Sequence, residues 1–411
     1  MGSSCPSATF GDLLSEPLRN GLTRPKRVRG VGVPMVNMGE LFGHRRLSTD
    51  VDMERVHLNA RHPDRDLLEP QDLLFARQSI VADGAGQASI FLDGEEPVTF
   101  ESHLIRARVD TTRADPRWLF YWFESNAGRA LVRSIVNQVA AAGIRGSDLV
   151  RLPVPCPDLA SQRAAADVLW TLDDKIDSNR RLADAIEALV MAEFHGRFVN
   201  FVGRQVWDED MPVGWRRVAL RDIADLHRDF VRGTSELPYL GLDVMPRGST
   251  VLSGWTSTDA PSGHAARFDV GDILFGKLRP YFKKAGVAPI AGRCSTEILV
   301  VRPRIDEHYG VVLGHLASDR FIEHCVAVSS GTRMPRAEWK DASTYVIALP
   351  PDGVASAFTE LARRSYDHIR RLVLEARTLK EIRDELLPKL VSGEIRVPPD
   401  NDEGAPVELV S

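Results

Sequence analysis

The amino-acid sequence predicts an α+β protein in which two mixed α/β domains alternate with two long helices. Blocks of similar sequence recur about 200 residues apart, and each half of the chain ends in a long run of helical periodicity. The 411 residues, 43% of them hydrophobic, also suffice for more than one core. The predicted organisation is therefore an internal pseudo-two-fold repeat of a domain followed by a helix.

The repeat is clearest where each half approaches a predicted strand. Glu-Pro-Gln-Asp-Leu-Leu-Phe-Ala-Arg at 69–77 matches Asp-Val-Gly-Asp-Ile-Leu-Phe-Gly-Lys at 269–277. Three further pairs follow at nearby offsets: 34–38 with 238–242, 102–108 with 295–302, and 143–145 with 331–333. These β-rich stretches, bounded by Gly and Pro, predict similar mixed domains in the two halves.

The two helices are predicted from apolar residues spaced three or four apart. No Pro or Gly interrupts residues 159–195, and the second pattern runs from Phe358 to Leu390, with Pro388 near its end. One narrow apolar stripe per helix must be buried, so the helices are predicted to pack antiparallel as in a coiled coil. The predicted seam comprises Leu169, Leu172, Ile176, Asn179, Leu182, Ile186, Leu189, Ile369, Leu372, Leu379, Ile382 and Leu386.

Asn179 leaves two interpretations open. A buried amide in the seam could fix the register of the two helices. Alternatively, Asp177-Ser-Asn179 could break the first helix. With either interpretation the predicted segments are a first domain at 1–157, a helix at 158–206, a second domain at 207–350, a helix at 351–395 and an acidic flexible tail at 396–411.

Composition excludes several classes of protein. The net charge of −5 offers no global field for a polyanion, so nucleic acid would have to be bound by local basic patches. Four scattered cysteines without a C-x-x-C pair argue against a disulfide scaffold or a thiolate zinc site. No membrane span or secretion signal is visible, and we expect a cytoplasmic protein.

No motif supports catalysis. Gly271 to Lys277 satisfies G-x-x-x-x-G-K, but Leu278 stands where a phosphate-binding loop needs Ser or Thr, and the interior is strand-like. Glu338-Trp-Lys340 resembles half of a nuclease signature, but no Pro-Asp accompanies it. We therefore predict a protein without its own metal or cofactor.

Basic clusters give the best candidate binding residues. Lys277, Arg279, Lys283 and Lys284 are interleaved with Tyr281 and Phe282 after a predicted strand, which suits contacts to phosphates and bases. The remaining candidates are Arg24, Lys26, Arg27 and Arg29 in a second cluster, Arg77, Gln78 and Ser79 at the equivalent position of the first half, and Arg333. The alternative is that all of these are ordinary solvated loops.

Together these segments resemble the specificity (S) subunits of type I restriction–modification systems. Similar motifs are Leu-Pro-Val-Pro-Cys-Pro at 152–157, Leu-Asp-Asp-Lys-Ile at 172–176, Pro-Val-Gly-Trp at 212–215 and Leu-Leu-Pro-Lys-Leu-Val-Ser-Gly at 386–393. The resemblance covers nearly the whole chain, although the first half lacks a Pro-Val-Gly-Trp entry and Cys156 replaces the commoner apolar residue.

The resemblance implies a non-catalytic reader of double-stranded DNA. Each domain would be a target-recognition domain for one half of a bipartite sequence, and the helix pair would set the spacer. Methyltransferase (M) and translocase-nuclease (R) subunits would be the partners, and S-adenosylmethionine, ATP and magnesium would belong to them. The alternatives are a similar reader in another defence or modification system, a coiled-coil scaffold without a DNA role, and an enzyme using the Gly271–Lys277 segment.

Overall fold

The computed structural model describes residues 7–23, 29–58, 64–80, 82–138, 142–199, 211–233, 236–256, 263–331, 333–398 and 408–409. The chain forms two compact units, one from Met1–Asp174 with Glu381–Ser411 and one from Lys175–Lys380. Both long helices pass from one unit into the other. No helix in the described ranges is long and apolar enough to cross a bilayer.

The first half of the chain contains thirteen strands and five helices within the described residues. The strands are β1 (Ser7–Thr9), β2 (Arg19–Asn20), β3 (Arg29–Val36), β4 (Arg46–Leu47), β5 (Glu54–Val56), β6 (Leu73–Ala76), β7 (Gln78–Ser79), β8 (Ala88–Phe91), β9 (Thr99–Phe100), β10 (Leu104–Ala107), β11 (Asn137–Gln138), β12 (Ala142–Gly143) and β13 (Pro153–Pro155). The helices are α1 (Met38–Gly43), α2 (Pro116–Glu124), α3 (Asn126–Ser134), α4 (Gly146–Leu149) and α5 (Leu159–Phe194), and a π-helical turn (His195–Val199) extends α5.

The second half repeats this plan. Its strands are β14 (Arg216–Ala219), β15 (Ala224–Leu226), β16 (Phe230–Gly233), β17 (Tyr239–Leu240), β18 (Gly263–Phe268), β19 (Ile273–Gly276), β20 (Ala285–Val287), β21 (Gly292–Ser295), β22 (Ile298–Pro303), β23 (Val346–Leu349), β24 (Ile395–Arg396) and β25 (Glu408–Leu409). Its helices are α6 (Leu220–Ile223), α7 (Tyr309–Ala317), α8 (Asp319–Ala327), α9 (Trp339–Ala342) and α10 (Asp352–Ser392). The predicted α+β fold is confirmed.

The first unit is built on a sheet of order β2-β10-β6-β8-β4. β6 is buried along its whole length, and Phe75 on it packs edge-to-face with Phe10 and Phe123, at centroid distances of 5.8 and 4.9 Å. Helix α2 begins where the Asp115 carboxylate accepts the backbone N–H of Arg117 at 2.8 Å. Two three-stranded sheets, β5-β3-β9 and β11-β12-β7, and the pair β1-β13 complete the strand pairing of this domain.

The second unit has the equivalent sheet, β15-β22-β19-β20, with β16-β18-β21-β17 and β14-β23 beside it. The turns that enter the central strands are also equivalent. Gln71 and Gly271 both have positive φ, and Arg108 and Arg302 bind the carboxylates of Asp72 and Asp272 through Nε and Nη2 at 2.6–2.9 Å.

The long helices pack antiparallel, as predicted. In the second unit Lys175 on α5 pairs with Glu375 on α10 at 3.4 Å, and Phe194 lies 6.1 Å from Phe358 between ring centroids. As residue numbers rise along α5, the numbers of their partners on α10 fall, so the two helices run in opposite directions. Helix α5 is continuous through Asn179, which is 2% exposed, so the alternative of a helix break at this residue is wrong.

The predicted seam needs correction at three residues. Leu169, Asn179, Ile369 and Leu372 are buried, and Leu172, Ile176, Ile186, Leu379 and Leu386 are half-buried. Leu182, Leu189 and Ile382 are instead 44%, 58% and 42% exposed. In each case the next residue, Ala183, Val190 or Arg383, takes the buried position, which is a rotation of about 100° around the helix.

The described part of the C-terminal segment forms a short strand pair. Ile395 pairs with Leu409 and Arg396 with Glu408, so β24 and β25 form an antiparallel pair. Residues 399–407 and 410–411 lie outside the described residues.

Candidate nucleic-acid interface

The loop after β19 in the second domain is held in an unusual backbone conformation. Arg279 and Lys283 both have φ of 51°, and a short 3-10 turn from Pro280 to Phe282 lies between them. Left-handed backbone is disfavoured for residues other than Gly, and where it persists the surroundings must over-determine it. Pro280, at the start of the turn, follows the end of β19 at Gly276 by four residues.

Two cations of this loop have partners inside the domain. Lys277 Nζ lies 3.2 Å from Glu338 Oε1, and Lys284 Nζ donates to the backbone carbonyl of Leu242. Burial, followed by the charge of Arg247, lowers the pKa of Lys284. The sequence predicted that both ammonium groups could reach a duplex, whereas the structure turns them towards their own domain.

The outer part of the loop remains accessible. Tyr281 is 48% exposed, and its ring packs edge-to-face on Phe282 at 4.8 Å. Lys283 is exposed but pairs with Asp319 at 2.5 Å. Arg247, which sequence reasoning missed, lies over the Phe282 ring at 3.9 Å.

Arg279 combines backbone anchoring with an unsatisfied donor. Its backbone N–H donates to the carbonyl of Pro335 at 2.8 Å, and its guanidinium carbon lies 6.0 Å from the Phe282 ring. Its buried Nε has no hydrogen-bond partner within the described residues. Because this Nε is buried, a contact to a ligand would have to come from the terminal Nη groups of the guanidinium.

The equivalent segment of the first domain, residues 77–80, contains the short strand β7, which pairs with β12. Gln78 is exposed, Ser79 is half-buried, and the half-buried Arg77 has its Nη1 3.5 Å from the carbonyl of Ser102. Ile80 is fully exposed, a feature that sequence reasoning did not single out. The loop thus presents a large apolar side chain beside polar ones.

The remaining predicted residues are dispersed. Arg29 pairs with Glu54 at 2.6 Å, and Arg333 is exposed. Arg24, Lys26 and Arg27 lie outside the described residues. The structure thus describes only Arg29 of that predicted cluster.

The two segments that resemble parts of catalytic motifs, 271–277 and 338–340, have structural roles. Ile273–Gly276 is a buried strand and not an open loop of backbone amides. Glu338 pairs with Lys277, and Trp339 packs on the hydrophobic core of the second unit. Neither segment has the geometry of the site that its motif suggests.

The sequence is similar to proteins that carry the name of type I specificity subunits. It is 23% identical over 301 residues to the Type I restriction enzyme MjaIX specificity subunit of Methanocaldococcus jannaschii, covering 68% of this chain and 69% of that protein. Over 84 residues it is 29% identical to the Type I restriction enzyme EcoDI specificity subunit of Escherichia coli, covering 20% and 18%. No family model matches the chain.

Among solved structures, the fold is similar to that of the type I restriction–modification system S subunit from M. genitalium. The TM-score is 0.55 at 15% identity, over 94% of this chain and 95% of that chain. With the sequence matches, this confirms the predicted resemblance.

Proposed function

We infer that this chain, a homologue of type I specificity subunits, serves as the sequence-reading subunit of a type I restriction–modification complex. The observation that carries the inference is the similarity over 68% of the chain to a protein of that name. The duplicated domain supports it, because two readers of one fold suit a target with two half-sites.

We assign the two recognition domains to residues 1–157 and 207–350. The helices of 158–206 and 351–395 would then set the unread spacer between the half-sites. Continuous helices of 36 and 41 residues support this role, because a packed helix pair is a rigid element of defined length.

In the second domain, Arg279, Tyr281 and Arg333 are the proposed contacts to bases and sugars. A guanidinium pairs with guanine through two hydrogen bonds, and exposed apolar groups contact the methyl of thymine. Lys283 is the proposed phosphate contact. A DNA phosphate would have to replace Asp319 as the partner of its ammonium group. Lys277 and Lys284 support the loop from inside.

In the first domain, Gln78, Ser79 and Ile80 are the proposed contacts, with Arg77 behind them. Arg24, Lys26, Arg27 and Arg29 remain proposed phosphate contacts on the same domain. A glutamine side chain suits adenine, and Ile80 suits a thymine methyl.

Catalysis is proposed to reside in M and R partner subunits. S-adenosylmethionine would belong to the methyltransferase, and ATP and magnesium to the translocase-nuclease. The chain itself supplies recognition and a docking scaffold.

Methylome sequencing tests the proposal in the native host. Strains with the gene intact, deleted, and restored on a plasmid are compared. We expect a methylated motif with two specified halves and an unspecified spacer, lost on deletion and regained on restoration. A set of marks that deletion leaves unchanged would contradict the proposal.

A further inference from the structure

A buried carboxylate of α5 lies at the base of the first domain. Asp173 is 3% exposed and accepts hydrogen bonds from Arg383 Nη1 on α10 at 2.5 Å and from the Tyr121 hydroxyl at 2.7 Å. Arg45, the residue before β4, donates a third hydrogen bond to Asp173 from its Nη1 at 3.3 Å. We call these four residues the Asp173 network. It joins both long helices to the first domain.

A second buried carboxylate of α5 lies at the base of the second domain. Glu187 is 9% exposed and accepts from the backbone N–H and hydroxyl of Thr250 and from the Ser249 hydroxyl. The Thr250 hydroxyl also bonds the Tyr366 hydroxyl on α10. These residues form the Glu187 network, which again joins both helices to one domain.

Arg45 and Thr250 occupy equivalent positions of the repeat. The Arg45 carbonyl accepts from the N–H of Ile90 at 3.0 Å, and the Thr250 carbonyl from that of Val287 at 3.1 Å. Ile90 and Val287 in turn pair with Leu73 and Ile273 at the start of the equivalent strands β6 and β19. The same point of each domain therefore reaches a buried carboxylate of α5.

The chemistry of the two networks differs. Two guanidinium groups and one hydroxyl bind Asp173, whereas the donors to Glu187 are neutral hydroxyl and amide groups. A neutral amide could replace the carboxylate at 187, because its carbonyl accepts from an amide N–H and its NH₂ group donates to a hydroxyl. An amide at 173 would remove the negative charge that the two guanidinium groups share, leaving Arg45 paired with Glu124 and Arg383 with Asp384.

We propose that the two networks are positioning elements, each of which fixes one recognition domain on its segment of the helix pair and so sets the accuracy of one half-site. Apolar packing is non-directional, whereas buried hydrogen bonds hold one geometry. Misplacement of reading side chains by a fraction of an ångström loses base discrimination without loss of phosphate contacts. The proposal rests on the proposed function.

The test uses complexes of the full chain with its methyltransferase subunits. Methylation rates are measured on the cognate duplex and on duplexes altered in one half or in the other. We expect Asp173→Asn and Glu187→Ala each to lower discrimination at a single half-site by about tenfold, equal to about 1.4 kcal/mol, and at different half-sites. Each variant is the control for the other.

Conservative variants separate positioning from folding. Tyr121→Phe and Tyr366→Phe each remove one hydroxyl and keep the ring. We expect each to lower discrimination at a single half-site, Tyr121→Phe at the same one as Asp173→Asn and Tyr366→Phe at the same one as Glu187→Ala, with a smaller loss. Glu187→Gln should retain discrimination at both halves, whereas Asp173→Asn should not.

Equal losses at both half-sites, or unchanged discrimination in complexes of wild-type melting temperature, would overturn the positioning role. A wild-type complex without bipartite preference would instead overturn the proposed function, and this inference with it.

Discussion

At the scale of single residues, the cations of the loop after β19, the proposed base-contacting loop of the second domain, differ in how they are held. The side chains of Lys277 and Lys284 have partners inside the domain, whereas Arg279 is anchored through its backbone N–H. A fixed backbone lowers the entropy lost when a side chain is ordered on a ligand. Arg279 is therefore better prepared for base contact than the flanking lysines.

Arg279→Lys separates the charge of this residue from its shape. Lysine keeps the positive charge but lacks the planar group that pairs with guanine. We expect cognate binding to weaken by about 1–3 kcal/mol, while the salt dependence stays close to that of the wild type. Binding isotherms at several salt concentrations, on cognate and non-cognate duplexes, measure both.

Lys283→Ala is the matched comparison, since it removes a proposed phosphate contact from the same loop. It should weaken all duplexes alike and cut the salt slope by at most about one unit, because Asp319 already offsets part of its charge. Equal loss of cognate and non-cognate binding in Arg279→Lys would contradict a base-reading role.

The sequence predicted which loop carries cations but not which cations are available. Glu338 pairs with Lys277 across 61 positions, and the Leu242 carbonyl holds Lys284 across 42. Such partners are set by tertiary contacts, which local patterns do not contain. Strand β19, in contrast, was predictable because its run of apolar residues is local.

At the scale of the elements, the positions of the two long helices were predictable from the sequence. Three of the residues that line their seam were not. Long runs without Pro or Gly determine where α5 and α10 form, and large apolar residues indicate the stripe. The buried positions beside Leu182 and Ile382 are filled by small Ala183 and by Arg383, which pairs with Asp173, and Val190 fills the one beside Leu189. Size and hydropathy alone therefore misplace the stripe by one residue at Leu182, Leu189 and Ile382.

The observed seam predicts a large loss of stability for one Leu→Asp substitution and almost none for another. Leu372→Asp would place a charge among buried apolar residues such as Ile369 and Val373, and should lower the free energy of unfolding by about 3 kcal/mol or more. Leu182→Asp, on the exposed face, should change it by less than about 0.5 kcal/mol.

Thermal unfolding followed by circular dichroism compares the two variants with the wild type. If Leu182→Asp destabilised the isolated chain as strongly as Leu372→Asp, the assignment of buried and exposed faces would be wrong.

At the scale of the whole molecule, the duplication was visible in the sequence because equivalent turns keep similar residues. Asp72 with Arg108 and Asp272 with Arg302 repeat the same chemistry. The Asp173 and Glu187 networks were not visible, because equivalent positions carry different residues, Arg45 and Thr250. The two domains thus differ chemically where each contacts the helices, while the turns that enter their central strands keep the same chemistry.

Domain exchange is the consequence that tests this view. Residues 207–350 moved into a related specificity subunit carry Ser249 and Thr250 but leave Glu187 and Tyr366 behind. We expect the hybrid to gain one new half-site, with the other unchanged, when the recipient helices offer a carboxylate and a hydroxyl at those two positions. In a recipient without them, discrimination at the new half-site should be about tenfold poorer, and introducing Glu and Tyr should restore it.

Methylation rates on duplexes altered in one half or the other measure discrimination at each half-site of the hybrid. A folded hybrid that reads neither half would show that the domains do not act independently, and a full transfer without the helix residues would show that the networks are dispensable.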